Sequence, residues 1–401
     1  MKYKLSEISN YVTDKVDVEA ISISQYISTE NMLEGKKGIK KIEKMPNVKR
    51  VTAFKKKDIL ISNIRPYFKK IWFAEFDGGC SSDVLVFRSK DIVTSEFLFT
   101  LLLQDTFFHQ MVLTSKGTKM PRGDKKAIMN LEFYIPNISI QNKISQIIFN
   151  IKEKIELNNQ MIDTLEETAS TLFKRWFVDF ELPDENGNPY KSSGGKMIDS
   201  ELGEIPEGWE IFELGELFHC KSGFAFKSKD WTKQGVPVIK IKNIVPPSIK
   251  MNSDSFVEDT DLVYKANDFV VTGGEILIAL TGATVTKFGT VPRNSYGIVN
   301  QRVGLFYDRN HIGWGFLYGL LNQKKIIETL IGLSHGSAQA NLSTKDINII
   351  KVAFNFDYVK DNISVINNLH DKVALLLKQQ DDLVVIRDTL ITKLLSGEIK
   401  V

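Results

Sequence analysis

Ten cations and a single acid, Glu43, lie between Lys36 and Lys57. The cations are Lys36, Lys37, Lys40, Lys41, Lys44, Lys49, Arg50, Lys55, Lys56 and Lys57. Such a run on a groove-facing loop neutralises several phosphates and makes binding steeply salt-dependent. A solvated loop that binds nothing has the same composition. A second basic stretch, "SKGTKMPRGDKK" (Ser115 to Lys126), carries Lys116, Lys119 and Arg122 around two glycines. Gly117 lets the backbone approach a ligand closely, and Thr118 can donate to a phosphate oxygen. Arg122 can make a bidentate contact to a guanine edge. Arg65 in "SNIRPYF" adds one more cation to this set.

The stretch "SHGSAQANLS" (Ser334 to Ser343) has the same placement 219 residues later, with amides and hydroxyls in place of the charges. It offers Ser334, Ser337, Gln339 and Asn341, and Gln and Asn suit an adenine edge. "LTGATV" and "VNQRVG" contribute Thr281, Thr284, Asn300, Gln301 and Arg302.

Signatures of catalysis are weak by comparison. No G-x-x-x-x-G-K-[ST] phosphate loop occurs, and no G-x-G-x-x-G follows a strand. The one double proline, Pro246-Pro247, lacks the aromatic that an Asn-Pro-Pro-aromatic base site needs. E-x-K tripeptides at Glu34–Lys36 and Glu398–Lys400 have no upstream acid on a convincing strand and read as surface charge. His109, His219, His311, His335 and His370 are scattered. The neighbours His219 and Cys220 do not make a metal site. The expectation is a chain without catalytic residues, metal or cofactor of its own.

These residues must be positioned by something, and the bulk numbers limit what. A chain of 401 residues with 43% hydrophobic and 25% charged residues suits a soluble globular protein of two or three domains. No run approaches the length of a membrane span. Two cysteines, Cys80 and Cys220, make no disulfide framework, which fits a reducing cytoplasm. The net charge of +3 is uneven. Residues 1–142 hold 23 Lys/Arg against 16 Asp/Glu, and residues 207–356 hold 16 against 14, so the remainder is acidic. Two basic globular pieces are compatible with a polyanion partner.

The chain repeats itself once. "KLSEIS" resembles "ELGELF", "KDILISNIRPYF" resembles "GEILIALTGATV", and "TLFKRWF" matches "TLITKLL". With the pair above, the offsets are 209, 217, 219 and 218. This is a duplicated unit of mixed α/β character, each copy followed by a long helix. From Ile144 the positions Ile148, Ile151, Ile155, Asn158, Ile162, Leu165, Ala169, Leu172 and Trp176 follow at alternating spacings of four and three. The second set is Asn362, Ile366, Leu369, Val373, Leu376, Gln380, Leu383, Arg387, Leu390 and Leu394. A 3.5-residue period defines a narrow seam. Each helix spans about 50 Å at 1.5 Å per residue. Such helices are not stable alone, so the simplest partner for each is the other. Antiparallel pairing with ends aligned brings Asn158 near Gln380. The expected segments are globular domain 1 (1–142), helix 1 (143–180), a Pro/Gly/Ser-rich linker (181–206), globular domain 2 (207–356) and helix 2 (357–401). Antiparallel helices then relate the copies by a pseudo-two-fold axis. Divergent loops on equivalent domains predict an asymmetric, bipartite duplex target with an untouched spacer.

The phrases "SNIRPYFKKIWFA", "SKGTKMPRGDKKAIMNLEFYIP", "TLFKRWFVDFE", "GEIPEGWE" and "LITKLLSGEIKV" resemble the specificity subunit of type I restriction–modification systems. The resemblance covers nearly the whole chain. It implies an α+β fold with two target-recognition domains and two spacer helices, each domain serving half of a split DNA site. It also implies docking of methyltransferase subunits, two in number, which bind S-adenosylmethionine, and of restriction/translocase subunits that use ATP. Ala340 departs from the family pattern, which often has Pro or a charged residue there. A stand-alone nuclease or methyltransferase and a protein-only scaffold are the competing readings.

Overall fold

The structure is a computed structural model that describes residues 1–40, 44–183, 186–258, 261–334 and 340–401, without the side chains of residues 360 and 361. It forms two compact units, one of residues 1–155 and 383–401, the other of residues 156–382. Each long helix is thereby shared between the units rather than forming a segment of its own.

In the first unit, short apolar runs bounded by Gly, Ser and Lys become strands. Ile59–Ser62 is buried along its whole length. It lies between Val84–Ser89 and Ile71–Phe73, with Ser9–Tyr11 at the far edge, and all pairings are antiparallel. A second sheet combines Lys15–Asp17, Arg50–Phe54, Gly78–Cys80 and Tyr26–Ile27. Lys2–Lys4 pairs with Glu132–Tyr134. The stretch "TSEFLFTLLLQDTFFHQMVL" makes two helices, Ser95–Leu102 and Asp105–Leu113, because the chain turns at Leu103 and Gln104. Thr94 caps the first of them by accepting from the Phe97 N–H.

The second unit repeats the central part of this order, with two further strands, Ser248–Ile249 and Ile244–Val245, on its main sheet. Ile276–Ala279 lies between Val303–Asp308 and Phe288–Thr290, with Phe218–Ser222 beyond. Glu210–Glu213 pairs with Lys351–Phe354. Trp314–Leu321 and Lys324–Ser334 repeat the broken helix. The segment expected as a plain linker is partly structured. Met197–Ser200 and Gly203–Pro206 form a hairpin, and Leu182 and Ile205 are buried in this unit's core. These few apolar side chains within a polar stretch are enough to dock it.

The long helices are Ile138–Phe173, ending in a π turn at Lys174–Val178, and Phe356–Ser396. Both start from an asparagine. The Asn137 side chain accepts from Ile140 N–H (3.0 Å) and that of Asn355 from Tyr358 N–H (2.9 Å). "TLFKRWFVDF" is thus a helix end, with Phe173 and Phe177 buried in the core. In the second unit the helices run antiparallel. Asn158 meets Gln379, Ile162 packs on Val373 and Leu377, and Ala169 faces Ile366.

The seam of the second helix differs from the expected one at every other position. Ile363, Ile366, His370, Val373, Leu377, Arg387, Ile391 and Leu394 are buried, whereas Leu376, Leu383 and Leu390 are half-buried. The period is the same, but the stripe is turned by one residue at alternate steps. A run such as Leu375-Leu376-Leu377 fits either register, and packing against the globular parts decides it. In the first helix Ile144, Ile148, Asn158 and Ile162 are buried, and Ile151, Ile155 and Leu165 are half-buried. The polar pair shifts accordingly. Asn158 Nδ2 donates to Gln379 Oε1 at 3.0 Å, and Gln380 instead donates to Asn159. Among the described residues no helix is long and apolar enough to cross a membrane.

Two expectations follow for stability. Asn158 is fully buried and its Oδ1 has no partner. Asn158→Leu is therefore expected to raise unfolding stability by about 1 kcal/mol in urea titrations, since an apolar side chain of similar size removes an unsatisfied buried group. A lowered midpoint contradicts this. His370 is buried against the Tyr318 ring, with Nε2 3.1 Å from the Gly274 carbonyl. Burial pushes its pKa down from 6.5 to about 4. The folded form holds the proton less tightly than the unfolded form, so this stability is full above pH 6.5 and is lost as pH falls towards 4. In His370→Gln the acid-induced loss across that window should shrink, measured as unfolding midpoint against pH.

Candidate nucleic-acid interface

Backbone hydrogen bonds gather the same three loops in each unit. The strand Ile59–Ser62 runs into Asn63, whose N–H donates to the Asp83 carbonyl (2.8 Å). The Asn63 carbonyl accepts from Gly123 N–H (3.3 Å). Ile64 then bridges Arg122, and Arg65 N–H donates to the Pro121 carbonyl (2.8 Å). In the second unit Leu280 N–H donates to the Arg302 carbonyl (3.1 Å), and the Leu280 carbonyl accepts from Leu342 N–H (2.7 Å). Thr281 bridges Asn341, and Gly282 N–H donates to the Ala340 carbonyl (3.0 Å). A single 3-10 turn follows in both copies, Pro66–Phe68 and Gly282–Thr284. The equivalences run at offsets of 217 for the strand-end loop and 219 for the other two. Arg122 therefore corresponds to Asn341, and Asp83 to Arg302.

Side chains on this common frame differ. In the first copy Arg65 and Lys119 are exposed, and neither has a side-chain partner among the described residues. Arg65 sits in the left-handed region at φ 49°, and the half-exposed Tyr67 stacks edge-on against Phe68. Lys116 and Arg122 exchange backbone bonds across the tip (2.9 and 3.0 Å), which closes the loop through Gly117 at φ 96°. That angle favours glycine. Lys116 Nζ bonds Asp124 Oδ2 at 2.7 Å, and this contact with two backbone N–H groups holds Asp124 down to about 2. Arg122 Nε bonds Asp83 Oδ1 at 3.1 Å. Thr118 is exposed at the tip. In the second copy Gln301, Arg302 and Asn341 are exposed, and Thr281, Thr284 and Asn300 are partly so. The Asn300 side chain accepts from Arg302 N–H at 3.5 Å, as the Ser81 hydroxyl accepts from Asp83 N–H at 3.3 Å.

Some candidates lie elsewhere. The Lys36 side chain is only 3% exposed, with Nζ 2.8 Å from Asp105 and 3.1 Å from Asp388 on the second long helix. Its backbone N–H donates to the Lys69 carbonyl, which draws the side chain inward. It fastens its loop to a helix and is not offered to a polyanion. The remaining cations of the run are dispersed: Lys37 and Lys40 are exposed on the same loop, Arg50 pairs with Asp17 and Lys57 with Glu96. Lys41 lies outside the described residues, as do Ser337 and Gln339. Ser334 is buried, and its hydroxyl donates to the Ile331 carbonyl at 2.7 Å, so it presents nothing to a ligand. The carboxylate of Asp83 was not visible as part of the site from sequence. The repeat offset that pairs it with Arg302 is the signal that finds it.

Neither thiol offers a nucleophile. Burial pushes Cys80 up to about 12 and raises Cys220 likewise, so both are protonated at neutral pH. Among the described residues no group of three or more His, Cys, Asp or Glu could hold a metal ion.

A sheet-borne recognition module built twice, each with its own set of polar side chains on one backbone frame, is the class that this geometry defines. The model of the type I restriction modification DNA specificity domain matches residues 3–167 and 206–354, and the chain belongs to that family. It is 24% identical to the type I restriction enzyme HindI specificity subunit of Haemophilus influenzae, over 99% of both chains. It is 25% identical to the MjaVIII specificity subunit of Methanocaldococcus jannaschii, over 99% of this chain and 92% of that one. The crystal structure of a type I restriction-modification system S subunit from M. genitalium has the same fold, at a TM-score of 0.55 and 17% identity over 98% and 95% of the two chains.

The different settings of Lys36 and Arg65 give opposite expectations. Lys36→Met should cost about 1–2 kcal/mol of stability, since its acidic partners are partly solvated and lose less than a fully buried pair. It should leave duplex affinity unchanged. Arg65→Ala should weaken duplex binding several-fold and leave the urea midpoint in place. Fluorescence anisotropy on a labelled duplex and urea titration of each variant separate the two, and a reversed pattern contradicts the assignment.

Proposed function

We propose that this chain is the DNA sequence-recognition subunit of a type I restriction–modification complex and that it reads an asymmetric, bipartite duplex target. The observation that carries this reading is the loop bracket built twice with different side chains. Two copies of one frame imply two half-sites, and Arg65, Arg122 and Lys119 opposite Gln301, Arg302 and Asn341 imply that the half-sites differ. The resemblance to specificity subunits supports the same conclusion. In this reading the chain catalyses nothing and binds no cofactor. Methyltransferase subunits, two per chain, bring S-adenosylmethionine, and restriction/translocase subunits bring ATP. The long helices carry the docking faces for these partners, and the complex works in the cytoplasm, where both cysteines stay reduced.

Duplex binding should weaken steeply with salt, with log K falling linearly against log salt concentration. A protein-only scaffold predicts no salt-sensitive affinity, and a stand-alone enzyme predicts turnover without partners. Replacing residues 1–142 by the corresponding part of another family member should change one half of the methylated motif in cells and leave the other. A change in both halves contradicts two-module reading.

A further inference from the structure

We infer that Asp83 is a positioning residue that aims Arg122 at a guanine, and that Asn341 takes the equivalent place over an adenine in the other half-site. The inference rests on the proposed DNA-reading function and adds the base identities. Asp83 bonds Arg122 through Nε alone, at 3.1 Å. Among the described residues the two terminal nitrogens have no hydrogen-bond partner, and they form the fork that matches guanine O6 and N7. Arg122 is half-exposed, so the fork is open to a ligand. Asp83 is itself held. Its N–H donates to Ser81 Oγ (3.3 Å), and its carbonyl accepts from Asn63 N–H (2.8 Å). Arg122 is pinned by two backbone bonds to Lys116 and by the bridge to Ile64. Both ends of the ion pair are therefore fixed by backbone before any ligand arrives.

The charge argues the same way. An acid on a phosphate-binding surface costs affinity for any duplex. An arginine serving only as a phosphate contact gains nothing from a carboxylate partner, whereas one that must present its fork in one plane gains orientation. In the second copy the frame is the same, but position 83 becomes Arg302 and position 122 becomes Asn341. An asparagine amide pairs with adenine N6 and N7 without a buttress, and Arg302 is left free for the backbone of the duplex.

The test is selection from randomised duplexes by the full chain assembled with its methyltransferase subunits. The wild type should select guanine at one position in one half-site and adenine at one position in the other. Asp83→Ala should lose about tenfold of the discrimination at the guanine position alone, while affinity for random duplex at low salt holds or rises. Arg122→Lys keeps the charge and loses the fork, so it should relax the same position. Asn341→Ala should relax only the adenine position. If Asp83→Ala does not fold, Arg122→Lys decides the first half-site. A guanine preference unchanged in these variants, or relaxation of both half-sites at once, overturns this inference and leaves the proposed function standing. A wild type that selects no motif overturns both.

Discussion

The three loops of the candidate interface in each copy are held by main-chain hydrogen bonds. Asn63 and Leu280 each use their own N–H and carbonyl to tie down two neighbouring loops at once. These bonds do not depend on which side chains the loops carry. At Gly117, where φ is 96°, the backbone favours glycine. The bracket therefore fixes the positions of surface side chains such as those of Arg122 and Asn341 while leaving their chemistry open. The first copy has filled them mainly with cations and the second mainly with amides and hydroxyls.

The helices follow a different rule. Their stripe is too narrow to sustain them alone, and each borrows a core from the globular parts. Ile144, Ile148, Ile391 and Leu394 join one core, and Phe173, Val359, Ile363 and Ile366 join the other. Between these cores the stripe accepts polar residues, Asn158 and His370 among them, each with one good hydrogen bond. Buried polar groups of this kind lower stability but make other registers worse. The ion pairs Lys250–Asp381 and Arg293–Asp371 hold the second globular part against the second helix, as Lys36–Asp388 does for the first. Three acids of one helix thus serve the globular parts rather than the helix seam.

Much of this was legible in the sequence because a duplication leaves two records of one fold. The strands around "DILISNI" and "EILIALTG" and the helix end at "TLFKRWF" follow from apolar period and turn residues, whereas helix 1, expected from residue 143, starts earlier, at Ile138 behind the Asn137 cap. The exact seam of the second helix did not follow either. Leu375-Leu376-Leu377 and Leu390-Ile391 offer two apolar choices per turn, and only packing with distant residues selects one. Lys36 was misread for a related reason. A lysine in a basic run looks solvated until the fold brings Asp105 and Asp388 within 3.1 Å. Asp83 was missed because an isolated acid at a strand start carries no pattern, and its partner lies 39 residues away.

The main-chain bracket has an evolutionary consequence. When the groups that fix a surface are the ones every residue shares, mutation can explore new contacts at little risk to folding. Each copy can drift without the consent of the other, since each bracket is closed by bonds within its own copy. A lineage under pressure to change what it recognises could move one half of its repertoire in a few substitutions and keep the other half intact.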